Sequence, residues 1–386
     1  MAGIYVHIPF CKSRCVYCAF YSVVCRREKS SDGHRDELIG RYISVLTKEI
    51  QLKKDMYSDF EFNTIYFGGG TPSLLNVSEL EFVINTIKEN CKVGRVSEFT
   101  IEANPEQLSF DYCRQLKQLG VNRLSIGVQS FNGDTLKFLG RRHTPEDAFK
   151  AVDNAKKAGF ENISIDLIYG INERSDSIWK EELENARQLE MNHFSAYALT
   201  LEENSILYRR VKANRHEALD EGLAKRQYDI LAGFSAKNGF LHYEVSNFAK
   251  GGYESRHNSS YWFGVPYAGF GVAAHSFDGR MRMWNASNMN DYFTDIENGR
   301  RFSGQEKLSE YDKFNEYVLL RLRTAKGINL FEATELFGAK KVEYLQTCFR
   351  DGVDRRHFEA DGSSIRLTQD GLWFADGIAS AIFLTE

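Results

Sequence analysis

Ile4-Tyr5-Val6-His7-Ile8-Pro9-Phe10-Cys11-Lys12-Ser13-Arg14-Cys15-Val16-Tyr17-Cys18 is the stretch on which the reading of this chain turns. Its first five residues are β-branched or aromatic at most positions and predict a strand over 4–8. Next comes C-x3-C-x2-C, three thiols crowded into one short loop. A compact thiolate group is a soft ligand set, which selects zinc, copper or an iron–sulfur cluster. Structural zinc wants four closed ligands, usually as two separated pairs. Here one loop stands alone, and Cys25 is the only further cysteine nearby. Three ligands on a cubane leave one iron open to a substrate or cofactor. An open iron–sulfur cluster leads, with zinc and buried or redox-active thiols as the alternatives.

Outward from that strand, short β-branched or aromatic runs alternate with amphipathic, charge-rich segments for about two hundred residues. They predict strands over 64–67, 98–102, 123–128, 162–167 and 194–199, with helices over 42–56, 78–90, 110–119, 145–158 and 178–189. Serial strand–helix units imply a parallel sheet, because parallel neighbours need crossover helices. Six units are too few for an eight-stranded barrel, so the expected core is a partial (β/α)6 barrel. Polar motifs fall at the strand ends: Gly68-Gly-Gly-Thr-Pro-Ser73, Glu102-Ala-Asn-Pro-Glu106, Gly127-Val-Gln-Ser130 and Asp166-Leu-Ile-Tyr-Gly170. Parallel α/β proteins gather functional groups there, so all of these should meet the cysteine loop on one rim. After a helix near 220–235, residues 236–304 read as a mixed, aromatic and glycine-rich extension. Helices over 311–322, 330–337 and 340–350, a strand over 365–367 and a terminal apolar helix fit a small winged-helix-like α+β domain. The expected division is 1–235, 236–304 and 305–386.

The net charge of -4 gives no footprint for a nucleic-acid partner. No apolar run approaches a membrane span, and the first residues lack the features of a signal peptide. A cytoplasmic protein is expected, with any membrane contact peripheral and made through a partner. In a reducing compartment, Cys91, Cys113 and Cys348 read as small hydrophobes.

The Cys11-x3-Cys15-x2-Cys18 loop, with Tyr17 before its third cysteine, resembles the signature of the radical SAM superfamily. In that family the cysteines hold a 4Fe-4S cluster whose fourth iron takes the amine and carboxylate of S-adenosylmethionine (SAM). One-electron reduction can then cleave SAM to a 5′-deoxyadenosyl radical. The resemblance implies SAM contacts from Tyr5, Gly69, Gly70, Thr71, Glu102, Gln129, Arg141 (or Arg142) and Asp166. Taken singly, each has a plainer reading as a turn, a surface charge or a helix cap.

Together with Tyr5-Val-His7-Ile-Pro9 and His257-Asn258-x-x-Tyr261-Trp262, these motifs are similar to the coproporphyrinogen-dehydrogenase-like branch over nearly the whole chain. Two departures matter. Phe20 stands where the dehydrogenase has a further cysteine, and ten residues precede Cys11 where it carries an extension. Both departures are similar to the HemW-type haem chaperones of the branch. That resemblance implies haem binding and delivery to haem-requiring respiratory proteins, with His257 as the expected haem contact and His275 as a weaker one. The plainer reading of His257 is a hydrogen-bonded histidine in an aromatic cluster. A radical enzyme acting on coproporphyrinogen III or another tetrapyrrole is the alternative function, so whether the chain is an enzyme stays open. A homodimer that buries the cluster loop is a further expectation.

Overall fold

The strand-forming runs pair in sequence order. The computed structural model describes residues 2–25, 34–172 and 174–385. In it β1 (Ala2–Ile8), β2 (Phe62–Gly69), β3 (Val93–Ala103), β4 (Arg123–Gln129), β5 (Asn162–Tyr169) and β6 (His193–Ala198) lie side by side, all parallel. The crossovers are α1 (His34–Lys53), α2 (Val77–Asn90), α3 (Phe110–Gln118), α4 (Gly133–Leu139) with α5 (Pro145–Lys157), and α6 (Asp176–Gln188). Five of them start where a short polar side chain accepts a backbone N–H: Asn76, Ser109, Asn132, Thr144 and Ser175. Such caps satisfy amides the first helical turn would leave orphaned.

Beyond β6, α7 (Ile206–Lys212) and α8 (Glu221–Lys237) lead to a hairpin of β7 (Leu241–Glu244) and β8 (Asn247–Ala249). β8 pairs antiparallel with β6. After α9 (Arg256–Trp262), β9 (Tyr267–Phe270) returns to pair with β1 in parallel. The antiparallel β10 (His275–Phe277), β11 (Met281–Trp284) and β12 (Gly304–Lys307) extend that edge, with α10 (Met289–Glu297) between the last two. The sheet order is β12-β11-β10-β9-β1-β2-β3-β4-β5-β6-β8-β7. Among the described residues its two ends do not pair, so the six-unit barrel is open, as expected. The stretch read as mixed supplies five of the twelve strands and the first residue of a sixth; at three or four residues each, they are too short to carry a periodic signal.

The C-terminal segment runs α11 (Glu310–Leu322), β13 (Ile328–Asn329), α12 (Leu330–Phe337), α13 (Ala339–Gly352), β14 (Phe358–Ala360), β15 (Ser364–Leu367), α14 (Gln369–Trp373) and α15 (Ala375–Ile382). It has its own buried cluster, including Phe314, Val318, Leu345, Phe349 and Ile365, apart from the core of the large sheet. Backbone bonds bind the two together: Val245 N–H donates to Arg323 O at 2.9 Å and Ala325 N–H to Tyr243 O at 3.0 Å.

Candidate functional site

The strand ends open into one cavity of about 1060 Å³. Cys11, Cys15 and Cys18 line it, together with Gly69, Gly70, Thr71, Glu102, Gln129, Arg141 and Asp166. Motifs spread over more than 150 residues of sequence thus meet on one wall. Cys25 does not: it is buried behind the loop, where its N–H donates to Cys11 O at 2.8 Å. Phe20 lines the cavity close to Cys18 in sequence and is 70% exposed.

Backbone docking fixes the cysteine loop. Val16 N–H donates to Leu139 O at 3.1 Å, and Leu207 N–H donates to Val16 O at 2.8 Å. Two of the sulfurs already have donors: Thr71 Oγ1 at 3.6 Å from Cys11 Sγ and Arg141 Nη1 at 3.5 Å from Cys15 Sγ. Among the described residues no three His, Cys, Asp or Glu side chains form a ready metal site. The fit to a cluster rests on the donor set: three soft thiols on one wall, two of them reached by hydrogen-bond donors that tune such sulfurs.

The glycine turn is required by its neighbours. Gly69 has φ +105°, and a Cβ there would strike the His7 ring. At Gly70 a Cβ would lie 2.8 Å from the carbonyl oxygens of Ile8 and Phe10. This close approach turns the Gly69 N–H onto Glu102 Oε2 at 3.0 Å, while Tyr66 OH donates to Glu102 Oε1 at 2.8 Å. Burial, with the nearby Asp166 adding to it, pushes the Glu102 carboxyl up to about 7. Burial likewise raises Asp166, against hydrogen bonds from Ser195 and Ser125 and the charges of Arg123 and Arg141. Such paired acids in an enclosed wall suit a cationic ligand.

Gln129 closes β4 in the left-handed region at φ 66°, beside a shift in the β4–β5 register. A non-glycine residue held there is strained, and such strain concentrates at ligand sites. Arg141 and Arg142 both line the cavity, but Arg141 makes the grip: Nη2 donates to Asn104 Oδ1 at 2.5 Å and to Gly127 O at 2.6 Å. Its Nε has no partner. Asn104 stands in the Ala103-Asn-Pro-Glu106 motif, which gave it no role beforehand.

Two expected contacts lie one layer back. Tyr5 does not line the cavity; its ring stacks on Tyr66 at 6.1 Å and its hydroxyl bonds His7 Nδ1 at 3.1 Å. His257 is likewise absent from the wall and only 1% exposed. Its Nδ1 bonds Thr64 Oγ1 at 2.9 Å, its Nε2 bonds Tyr261 OH at 2.9 Å, and the ring stacks on Tyr66 at 5.1 Å. Burial, aided by the Arg123 charge, holds it neutral by lowering it to about 3. His275 is exposed on β10, also off the cavity. The motif residues that do reach the cavity are Asn258, Tyr261 and Trp262. α9 carries them because Glu98 caps it, accepting from Ser255 Oγ at 3.1 Å, Arg256 N–H at 2.8 Å and His257 N–H at 3.0 Å. A carboxylate at that helix end also meets the positive pole of the helix.

A second wall comes from β6, α8, β7, β8, α9 and the C-terminal segment. Its residues include Tyr197, Tyr228, Glu244, Asn247, Arg323, Trp373 and Asp376. No short motif announced them, because they are single residues scattered over separate elements.

Comparison with known proteins agrees with this geometry. A family model described as the radical SAM superfamily matches residues 5–186. The chain is 32% identical over 382 residues to the haem chaperone HemW of Lactococcus lactis, covering 99% of this chain and 97% of that one. It belongs to the HemW family of radical SAM proteins. HemW of Bacillus subtilis is 30% identical over 388 residues, the full length of both chains. Coproporphyrinogen III oxidase, HemN, from Escherichia coli superposes with a TM-score of 0.84 over 99% of this chain and 90% of that one. At 21% identity that likeness shows the shared fold. Radical SAM membership brings a 4Fe-4S cluster and SAM with it. No helix among the described residues is long and apolar enough to cross a membrane.

Proposed function

We propose that this chain is a cytoplasmic haem carrier, which binds haem and passes it to haem-requiring respiratory proteins. Cys11, Cys15 and Cys18 hold its 4Fe-4S cluster. Gly69, Gly70, Thr71, Glu102, Gln129, Arg141 and Asp166 cradle SAM, with Tyr5 supporting them from behind. When bound, the cluster would supply a one-electron-transfer centre beside the SAM cradle. The protein's own part is positional. Gly69 turns its amide onto Glu102, Glu102 and Asp166 present acidic oxygens to a cationic ligand, and Arg141 ties the Cys15 loop to β3 and β4.

Full-length similarity to HemW haem chaperones carries the reading, and the cavity supports it. Ordinary ligand pockets enclose about 300–1,000 Å³, so about 1060 Å³ is ample beside the cofactor wall. His257 is assigned a supporting role: through Tyr261 it props the surface on which haem would lie. The test is a haem titration of anaerobically reconstituted protein. Saturable one-to-one binding supports the carrier, and no saturation rejects it.

The complete cofactor wall favours keeping a second reading, a radical enzyme that acts on a tetrapyrrole such as coproporphyrinogen III. It predicts 5′-deoxyadenosine formation that depends on the tetrapyrrole. Reduced, cluster-loaded protein that forms none with any porphyrin substrate would eliminate it.

A further inference from the structure

Three polar atoms on the second wall have no partner: Glu244 Oε2, Asn247 Oδ1 and Trp262 Nε1. Glu244 and Asn247 are 1% and 5% exposed, and they bond to one another through their remaining atoms. Native proteins pair nearly all buried polar atoms, and of these three only Trp262 Nε1 is a donor, the group that a ligand acceptor would complete. Tyr197 points the same way. It is 43% exposed although it lies on the wall, so its free surface faces the cavity. With the half-buried Trp373 it offers flat apolar area to a planar molecule.

Arg323 adds the charge. Its guanidinium lies 5.7 Å from the centre of the Trp262 ring. Nε and Nη2 donate to Asp376 Oδ1 and Oδ2 at 2.7 and 2.5 Å, an in-plane fork that a ligand carboxylate would fill equally well. The Asp376 side chain is 64% exposed, so water can take it when it lets go.

We propose that Arg323 and the Trp262 indole N–H form a carboxylate-anchoring subsite for the acidic side chains of a tetrapyrrole, with Asp376 occupying the guanidinium until the ligand arrives. This rests on the haem-carrier reading and adds to it the group that is recognised. Haem carries two propionates on one edge of an apolar disc. That edge meets Arg323 and Trp262 while the disc lies along Tyr197.

The test titrates iron protoporphyrin IX and its dimethyl ester into the full-length protein, as wild type, Arg323→Gln and Asp376→Asn. Wild type is expected to hold the free acid about ten-fold more tightly than the ester, the loss of one charge-assisted anchor. Arg323→Gln should bind both alike, at the level of the ester. Asp376→Asn frees the guanidinium and should hold the free acid as tightly as wild type or more so. Equal wild-type affinity for acid and ester overturns the proposal. So does an equal loss of haem affinity in both variants, which would make the ion pair a structural tie between α11 and α15. If wild type binds neither compound, the carrier reading itself fails, a result separate from the other two.

Discussion

Glu49 and Lys53 in α1 are buried charges, as are Glu102 and Arg141 at the strand ends, yet only the first set is complete. Lys53 Nζ donates to Glu49 Oε1 at 2.5 Å and to Asn285 Oδ1 at 2.9 Å. The other oxygen, Glu49 Oε2, accepts from Gly271 N–H at 2.8 Å and Tyr292 OH at 2.6 Å. Asn285 Nδ2 donates to Gly271 O at 2.6 Å, and no atom of this group lacks a partner. Around the cavity, Arg141 Nε, Glu106 Oε2, Glu244 Oε2, Asn247 Oδ1 and Trp262 Nε1 are all unpaired. The same chemistry therefore does two jobs. A saturated network joins α1 to the antiparallel extension of the sheet, whereas an unsaturated one awaits ligands.

The largest effect should fall on the unsaturated side. Alanine at any one of Cys11, Cys15 or Cys18 is expected to abolish cluster assembly, read as iron and acid-labile sulfide after anaerobic reconstitution. Cys25→Ala should retain both, and a loss there would add Cys25 to the ligands. On the saturated side, Lys53→Met strands Glu49 without its cation and should cost about 3–5 kcal/mol in denaturant unfolding. SAM and haem affinities should stay unchanged in that variant. A fall in either would erase the distinction between the two regions.

Glu102 sharpens the comparison through pH. Its carboxyl is pushed from an ordinary 4.5 up to about 7. The folded state then binds the proton more tightly than the unfolded one, so ligand-free stability falls as pH rises from 4.5 to about 7. At about 1.4 kcal/mol per pH unit this amounts to about 3 kcal/mol, lost in full above that window. Glu102→Gln should therefore stabilise the ligand-free protein at pH values above the window while weakening SAM binding. Glu244, also pushed up to about 7 by burial, keeps a slope of the same sign in that variant. Unfolding curves at both ends of the window check this; an unchanged pH slope would show that Glu102 is charged throughout.

The smallest effect is expected at His257. His257→Ala removes two hydrogen bonds and a stacked ring, worth about 2 kcal/mol of stability. The absorption spectrum of bound haem should not change, because the imidazole lies behind the wall. A spectrum that loses an imidazole ligand would show that α9 moves His257 onto the iron.

Much of this site was legible in the sequence because parallel strands end where ligands bind. Cys11–Cys18, Gly69–Thr71, Glu102, Gln129 and Asp166 each follow or end a predicted strand, and all line one cavity. Orientation was not legible. His257 and Tyr5 belong to recognisable motifs, but which face of α9 or β1 each occupies depends on partners remote in sequence, Thr64 and Tyr66. Glu244, Arg323 and Asp376 had no local signature at all. They meet only because β7 pairs with the segment after α11, at Glu244 and Thr324.

The most direct test of the account is whether one cavity takes both ligands at once. Cluster-loaded protein would be titrated with haem in the absence and presence of saturating SAM, and with SAM in the absence and presence of haem. Separate walls predict one equivalent of each bound together, with neither reducing the affinity of the other more than a few-fold. Mutual exclusion, or haem binding that does not saturate, would contradict it.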